Sequence, residues 1–367
     1  MKIVCQRSII QKNISDILGV TNKDTLPILS NILIEAKASG VEFTGTDLEV
    51  GIRTFLPNVS KEIGAITVSA RKISEIIREL PEHEIELTLD DNNNLSINCQ
   101  KASFTLNGIA KEEFPLFPEF SEAESLEVNT ETFADMIKKT IFAVSKEDSR
   151  YTLNGVLMIT TAETLTMVAT DGHRLAVAST TLDRAGSQDV KVVVPIKALN
   201  ELSKILSNTE DEQVKIMLEE TQIIFKVGST VVVSRLIEGQ FPDYERVIPK
   251  EFNHKIAISR DELNHVVRRV SLLANQKTCS IKFILKHNEL EVVAKSPDSG
   301  EAKEDIPIEY QGDFLKLGYN FRYLLDVFKC IKSDEIIFEI SQPLNPAVIR
   351  PKSETENYLY VIMPMKV

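Results

Sequence analysis

The sequence is short of cysteine and has no long apolar run, and each shortage excludes a class of protein. The four cysteines are scattered, with no Cys-x-x-Cys pair and no histidine at zinc spacing, so we expect buried, inert thiols, no metal and no cofactor. They are Cys5, Cys99, Cys279 and Cys330. No apolar stretch approaches the roughly 20 residues of a membrane span. The amino terminus has the pattern of a strand rather than a signal peptide, which favours a cytoplasmic protein with no membrane partner.

One sequence pattern occurs three times along the chain, at intervals of about 125 residues. Three markers recur in one order. The first is a strand-like segment ending in a polar turn, at 40–50, 164–176 and 289–300. The second is a short strand and an apolar run of helical period, at 66–80, 192–206 and 315–328. The third is an apolar-Pro dipeptide, at 114–115, 241–242 and 363–364. A period of this length is that of a whole domain rather than of a solenoid repeat.

The patterns predict three copies of one α+β domain, at residues 1–120, 127–250 and 251–367. Each copy opens with a helical pattern and continues mostly in alternating runs typical of strands with one buried face. Two helices on antiparallel sheets are therefore expected in each copy. The third copy's first helix has Ser259 as its N-cap. The second marker places Ser69, Pro195 and Gly318 at equivalent positions before the second helices.

Charge is segregated along the sequence. The chain carries −12, which taken alone argues against nucleic acid. The six predicted helices, at 7–19, 70–79, 131–146, 196–206, 259–277 and 320–332, are each positive and together carry +8. If they face one way, the molecule has a positive concave surface and a negative rim. Alternatively, they carry lysine only because their outer faces are solvated.

Several segments resemble one family from end to end. They are Arg150–Gly155, Ala169–Ala176, Phe241–Tyr244, Arg246–Val247 and Val361–Val367, with Thr25–Asn31 and Thr44–Glu49 in the first copy. These segments strongly resemble the bacterial DNA polymerase III beta subunits, the replicative sliding clamps. The resemblance implies a DNA clamp fold, a head-to-tail homodimer closed into a ring around duplex DNA, and a processivity factor with no chemistry of its own. The implied partners are double-stranded DNA without sequence preference, the polymerase III alpha subunit, the clamp loader, and other polymerases and repair proteins with short clamp-binding motifs.

The same resemblance implies three sets of site residues. The DNA-binding set is Lys23, Arg71, Lys146, Tyr151 and Thr152. The set for an apolar cleft that takes partner peptides is Leu153, Thr170, Gly172, His173, Arg174, Leu175, Pro242, Arg246, Val247, Tyr323, Val348, Val361, Ile362, Met363, Pro364 and Met365. The dimer-interface set is Lys72, Phe104, Leu106, Leu272, Leu273, Asp298, Glu301 and Glu304.

Six positions depart from the family pattern. Two of them, Lys366 and Val367, stand where Arg-Leu is common. Thr152 stands where a second aromatic is common, and Glu147 where an uncharged polar residue is commoner, which predicts a weaker DNA contact in that loop. Asn345 and Pro346 replace small hydroxyl residues and alter the expected preference for particular motifs.

Two other functions fit parts of the sequence. Asp171 and His173 invite a hydrolytic interpretation, since an Asp, a His and a nearby hydroxyl serve hydrolysis. However, the surrounding sequence has no nucleophile elbow and no metal-ligand spacing, and the first copy has Thr46-Asp47-Leu48-Glu49 at the matching place, without histidine. A lone histidine is also commonly structural. The second of these functions is that of a static three-domain scaffold that never encircles DNA.

Overall fold

The computed structural model describes residues 1–21, 26–122, 125–182, 189–353 and 356–366. These form two compact units. The first unit combines residues 1–134 with 194–236, and the second combines 135–193 with 237–367. Each unit joins segments distant in sequence because strands of different repeats share a sheet.

Six α-helices occur in the described residues, two in each predicted copy. They are α1 (Arg7–Ile17), α2 (Ala70–Glu79), α3 (Thr130–Thr140), α4 (Ile196–Ser207), α5 (Arg260–Val270) and α6 (Phe321–Cys330).

The strands are numbered in chain order through the described part of the molecule. The first ten are β1 (Lys2–Gln6), β2 (Asn31–Lys37), β3 (Gly40–Thr46), β4 (Val50–Pro57), β5 (Ser60–Glu62), β6 (Gly64–Ser69), β7 (Glu84–Leu89), β8 (Asn94–Cys99), β9 (Ala102–Asn107) and β10 (Ser125–Asn129). The central ones are β11 (Gly155–Thr160), β12 (Thr164–Thr170), β13 (Arg174–Thr181), β14 (Val190–Pro195), β15 (Gln213–Leu218), β16 (Gln222–Val227) and β17 (Thr230–Arg235). The last are β18 (His254–Ser259), β19 (Ser280–Lys286), β20 (Glu289–Ser296), β21 (Gly300–Pro307), β22 (Leu315–Asn320), β23 (Glu335–Ile340), β24 (Ala347–Pro351) and β25 (Tyr358–Ile362).

The first unit contains two sheets. One has five strands in the order β5-β1-β7-β8-β9, all from the first copy, and β9 is an edge. The other has eight strands in the order β10-β15-β16-β17-β4-β3-β2-β6. The antiparallel pair of β17 and β4 joins the second copy to the first, with Val233 opposite Gly51. This sheet is therefore built of four strands from each copy.

The second unit repeats this plan. Its eight-stranded sheet runs β14-β11-β12-β13-β25-β24-β23-β18, and the pair of β13 and β25 joins the second copy to the third. Its other sheet has four strands, β21-β20-β19-β22, all from the third copy, with β21 at an edge. The same pairing rule thus operates at both junctions between copies, as expected if the copies are structurally equivalent.

The helices form where the sequence places apolar residues at helical spacing. In α1, Ile10, Ile14 and Ile17 are fully buried, and the helix packs on α2, β3 and β4. Replacing one such isoleucine by alanine costs about 2–5 kcal/mol. The Ser259 hydroxyl accepts from the backbone N–H of Glu262 at 3.4 Å, which confirms the predicted N-cap. Ser69 caps α2 in the same way, through Lys72.

Three details of the prediction are wrong. The residue before α6 is Asn320, whose side chain accepts from the N–H of Arg322 at 3.0 Å, so Asn320 and not Gly318 is equivalent to Ser69. Two helices are also shorter than expected, because α3 ends at Thr140 and α5 at Val270, each followed by one turn of 3-10 helix. A hydroxyl side chain ends both: Thr140 donates to the Met136 carbonyl at 2.8 Å, and Ser271 to the Arg268 carbonyl at 3.0 Å.

The shorter helices change the charge pattern. Without Lys146, α3 has no net charge, and the six helices together carry +5. The expectation that all six are positive is therefore wrong for α3, although the other five each carry +1. The sign segregation persists in a weaker form.

The four cysteines are buried and free, as expected. Burial raises the pKa of the Cys330 thiol to about 11 and also raises that of Cys5. Both thiols stay protonated at neutral pH and are poor nucleophiles. Among the described residues, no helix combines the length and apolar character that crossing a membrane requires.

Candidate functional site

A mostly apolar cavity opens on the second unit, where its eight-stranded sheet passes from the second copy to the third. It encloses about 490 Å³, its mouth included. Its walls are Leu153, Thr170, Gly172, Arg174, Leu175, Pro242, Tyr244, Val247, Val361 and Met363. The cavity opens directly onto a buried apolar cluster to which Leu153, Leu175 and Val361 belong. A cavity with this apolar lining suits apolar side chains of a bound peptide.

The floor of the cavity is the junction of β13 and β25. Leu175 lies opposite Val361 in this antiparallel pair, and both side chains face the cavity. Alternation of side chains then turns Ile362 away, and it is fully buried on the other face. Beyond β25 the chain stays attached, since the N–H of Met363 donates to the His173 carbonyl at 2.9 Å. Met363 is thereby held at the cavity rim.

One wall is a tight turn between β12 and β13. The Asp171 carboxylate accepts from the backbone N–H groups of His173 at 2.9 Å and Arg174 at 3.0 Å. The Thr170 hydroxyl donates to the Arg174 carbonyl at 2.6 Å and accepts from the Gly172 N–H at 3.0 Å. Gly172 has φ +85°, a conformation that favours glycine. The turn is thus satisfied by its own side chains.

Arg174 fixes this wall to the rest of the second unit. Its guanidinium donates to Asp171 at 3.0 Å, to Asp326 at 2.8 Å and to the Phe142 carbonyl at 2.6 Å. It also lies over the Tyr323 ring, 4.4 Å from the centroid. Since these contacts occupy the charged end, Arg174 has little capacity left to pair with a ligand.

The geometry gives the hydrolytic interpretation no support. Both Asp171 oxygens are taken by backbone N–H groups and Arg174. A catalytic pair would instead need the carboxylate to orient the imidazole of His173. That residue is exposed, and the hydrogen bonds described for it run through its backbone. Asp171 therefore acts as a turn-forming residue.

The first copy has the same turn with a different cavity. The Asp47 carboxylate accepts from the N–H groups of Glu49 at 3.0 Å and Val50 at 2.8 Å, and Leu48 takes the φ of +75° that Gly172 has in the second copy. At the position of Leu175, however, the first copy has Gly51. A Cβ there would lie 2.9 Å from the Phe117 ring, so this ring fills the space.

Nine of the sixteen predicted cleft residues line the cavity. Tyr244 also lines it and was not predicted, although the segment Phe241–Tyr244 contributed to the resemblance. The remaining seven lie elsewhere. Val348 and Ile362 are buried below, Tyr323 supports Arg174, and Arg246 is exposed and paired with Asp243 at 2.7 Å. His173, Pro364 and Met365 flank the rim without lining it, and the Met365 N–H donates to the Gly318 carbonyl at 2.8 Å.

The predicted DNA-binding residues lie on two elements that the structure describes. Arg71 is in the first turn of α2, exposed, and paired with Glu75 at 2.7 Å, a contact that raises the Arg71 pKa. Lys146, Tyr151 and Thr152 belong to the loop of residues 145–154 in the second unit, which we call the Tyr151 loop. The Tyr151 side chain is among the exposed large apolar groups. Lys23 lies outside the described residues.

The predicted dimer residues other than Lys72, which is on α2, lie on or beside β9 and β21, each an edge of its sheet. Phe104 and Leu106 share one face of β9, the first exposed and the second half-buried. Leu272, 77% exposed, and the half-buried Leu273 follow α5, beside β21. The acidic residues are partly paired: Glu304 accepts from Arg269 at 3.0 Å and Glu301 lies 3.6 Å from Lys295. Lys72 and Asp298 are exposed.

Three α+β copies joined through shared antiparallel sheets define a DNA sliding clamp. The family description "DNA polymerase III beta subunit" matches the chain in three parts: the N-terminal domain at residues 1–118, the central domain at 127–243 and the C-terminal domain at 245–366. The chain belongs to the DNA polymerase III beta subunit family. It is a DNA sliding clamp for polymerase III, and members of this family are non-catalytic processivity factors.

Individual relatives agree over the full length. The beta sliding clamp of Chlamydia muridarum is 33% identical, over 100% of this chain and 99% of the relative. The crystal structure of the Bacillus subtilis sliding clamp superimposes with a TM-score of 0.95 at 32% identity, over 100% and 99% of the two chains. That of the Bartonella birtlesii clamp bound to griselimycin gives 0.94 at 36% identity, over 100% of both chains.

Proposed function

We propose that two copies of this chain join head to tail into a cytoplasmic ring that encircles duplex DNA. The ring tethers the polymerase III alpha subunit, the clamp loader, and other polymerases and repair proteins through the cavity of the second unit. Domain boundaries at 1–120, 127–250 and 251–367 belong to this proposal, and the three matched family ranges support them.

Sheet completion is the observation that carries the assembly. At each junction inside the chain, four strands of one copy pair with four strands of the next. The first copy's five-stranded sheet and the third copy's four-stranded sheet have no such partner, so β9 and β21 each leave an open edge. An open edge carries unpaired backbone groups and favours pairing with another strand. Joining β9 of one protomer to β21 of its partner completes both sheets by the rule already used twice.

The side chains at and near these edges suit a specific contact. Phe104, Leu106 and Leu272 supply apolar area, and Lys72, on α2, is opposite in charge to Asp298, in the turn before β21. Charged side chains along β21 discourage indiscriminate strand pairing. A head-to-tail contact gives an open filament unless the rotation closes. Two chains of three copies make six repeats, and six repeats close.

DNA binding by such a ring requires no strong contact. The helices carry a modest positive charge while the chain as a whole carries −12. Lysine and arginine side chains then only need to balance phosphate charge, in part through water. We assign Lys23, Arg71, Lys146, Tyr151 and Thr152 to this contact. Arg71 forms an ion pair with Glu75, which reduces the attraction of Arg71 for phosphate. The weaker contact favours sliding along DNA over tight binding.

The cleft is suited to apolar anchors of short motifs. Its charged wall residue, Arg174, is already neutralised by Asp171 and Asp326. The thioether of Met363 can repack around different side chains. We therefore assign partner binding to the cavity residues and the predicted rim residues around them, with leucine and phenylalanine side chains of the motif as the dominant contacts.

Light scattering tests the assembly. The molar mass at micromolar concentration is expected to be twice the 41.2 kDa of one chain, because both open edges are then paired. A mass of one chain across the concentration range, or a mass that grows continuously with concentration as in a filament, would contradict the ring.

Removing the carboxyl-terminal segment tests the cleft. A peptide of the Gln-x-x-apolar-apolar kind should bind with micromolar affinity, about −8 kcal/mol, and deleting Met363 through Val367 should weaken binding at least about tenfold, or about 1.4 kcal/mol. The dimer should persist, since the open edges lie elsewhere. Isothermal titration measures both proteins.

Two point variants separate the cavity from the segment as a whole. Met363→Ala removes a side chain that lines the cavity, and Met365→Ala removes one that does not. The first should reproduce most of the loss and the second little of it. If the deletion leaves peptide affinity unchanged, the carboxyl-terminal segment only completes the sheet and partners bind at another site.

A further inference from the structure

The Tyr151 loop contacts two segments of the cleft region, the turn between β12 and β13 and the chain at Gly239. Its core is a stretch of 3-10 helix, Asp148–Leu153, kinked at Arg150, where φ is −121° and ψ is 53°. The loop is closed at its base, because the N–H of Ser145 donates to the Leu153 carbonyl at 2.9 Å. Leu153 itself lines the cavity. Residues assigned to DNA and a residue assigned to the cleft are therefore neighbours in one short segment.

Arg150 joins this loop to the Asp171–Arg174 wall. Its guanidinium donates to the Asp171 carbonyl at 3.1 Å and lies 3.5 Å from the Glu147 carboxylate within the loop. It also covers the turn: a Cβ added at Gly172 would lie 2.7 Å from the guanidinium. The wall residue Gly172 and the loop thus hold their relative positions partly through one side chain.

The neighbouring residues of the loop contact the chain just before Pro242. Gly239 has φ +117°, and a Cβ added there would lie 2.8 Å from the Thr152 methyl and 3.1 Å from the Tyr151 hydroxyl. Three residues later Pro242 lines the cavity. The close approach of Tyr151 and Thr152 to the backbone at Gly239 therefore packs the loop against the segment that leads to Pro242.

The Arg150 contacts are of the kind that phosphate can displace. The Glu147 partner is 63% exposed, and ion pairs in such positions contribute little. The Asp171 carbonyl is a neutral acceptor, whereas a phosphate group is charged and two of its oxygens accept parallel hydrogen bonds from a guanidinium. A phosphate brought to Tyr151 or Lys146 competes directly for the adjacent Arg150.

We propose that Arg150 is a positioning residue that links DNA contact at the Tyr151 loop to the shape of the partner cleft. Phosphate draws Arg150 away from the Asp171 carbonyl, the Gly172 wall loosens, and peptide affinity falls. Linkage is reciprocal, so a bound peptide weakens the DNA contact of this loop by the same factor. A clamp engaged by a partner then contacts DNA less tightly and slides more freely. This inference rests on the proposed DNA and cleft assignments.

Fluorescence anisotropy of a labelled Gln-x-x-apolar-apolar peptide tests the linkage. Titrations are run at low salt with and without a short duplex, at a duplex concentration that a labelled duplex shows to be saturating. The wild-type protein should bind the peptide at least about fivefold more weakly with duplex present. In Arg150→Ala the two affinities should agree within about twofold, because the link is absent. A role in stability alone would change both titrations equally and leave their ratio intact.

Arg78→Ala is the matched control. Arg78 is likewise an exposed arginine with a single carboxylate partner at 3.5 Å, but it lies on α2, in the other unit. It should keep the wild-type ratio, which separates the loss of one positive charge from the loss of this contact. A wild-type ratio near one, a peptide that binds more tightly with duplex present, or a ratio retained by Arg150→Ala would overturn the linkage. Failure of the peptide or the labelled duplex to bind wild-type protein would instead reject the corresponding proposed site.

Discussion

On nicked circular DNA the loaded protein should survive a salt wash that removes it from the same DNA after linearisation. A ring is retained by topology, whereas its direct attraction to phosphates falls steeply with salt. Cutting the circle supplies free ends without changing the DNA sequence or its charge. The retained fraction should drop at least about tenfold, since the net charge of −12 leaves little attraction to hold an unthreaded protein. Gel filtration of labelled protein with the DNA measures the retained fraction.

Equal retention on both forms at physiological salt would mean that the protein binds DNA as a patch rather than as a ring. Arg71→Glu is the informative companion. It places a second carboxylate beside Glu75, its present partner, and so reverses the local charge at the start of α2. Loading should slow, because encounter depends on charge. Retention on the closed circle should stay close to wild type, because threading does not depend on that contact.

The repeat was the strongest guide to the fold because it combines independent signals. In a polar turn such as Thr170–Arg174, side chains form hydrogen bonds with the backbone of the turn itself. The sequence of such a turn can therefore be recognised wherever it recurs. Helix interiors can also be predicted from the sequence, through the helical spacing of buried residues such as Ile10, Ile14 and Ile17. The ends of helices cannot be predicted in this way. Thr140 and Ser271 end α3 and α5 with hydroxyl-to-carbonyl bonds, a choice that apolar periodicity does not register.

The sharing of sheets between copies could not be predicted from the sequence, for a different reason. Strand patterns show which residues face a core, but the pairing of β13 with β25 joins residues far apart in the chain. Alternation alone does not choose a partner strand. The β9 and β21 edges, on which the assembly proposal depends, become visible only once the strand order of each sheet is known. Their residues were reached instead through the resemblance.

Most of the predicted cleft residues that line the cavity sit on the turn between β12 and β13 or at the last strand. Tyr244 was missed because nothing in its local pattern distinguishes a cavity-lining ring from a core ring. Val348 and Ile362 do not line the cavity: Val348, opposite Val361, is buried in the apolar cluster beneath it, and Ile362 faces the other side of the sheet. The replacement of Leu175 by Gly51 in the first copy, with Phe117 filling the space, shows that one scaffold gives different cavities through one or two residues.

Leu272→Ala should turn the dimer into a folded monomer at concentrations where the wild-type protein is dimeric. The side chain is 77% exposed in one protomer, so its loss should change the stability of the fold by less than about 0.5 kcal/mol. Burial against the partner's β9 would make the same truncation cost about 2 kcal/mol at each contact.

A head-to-tail ring of two protomers has two such contacts, so the dimer should lose about 4 kcal/mol, close to a thousandfold in dissociation constant. Light scattering over a dilution series measures that constant, and thermal unfolding verifies the fold. Leu344→Ala is the control, because Leu344 is 72% exposed and lies on neither open edge. Leu273 is left unchanged because it is half-buried, and its truncation would confound assembly with stability. If Leu272→Ala dissociates at the same concentration as wild type while Leu344→Ala does too, the β21 side of the proposed interface is wrong and the open edge must pair elsewhere.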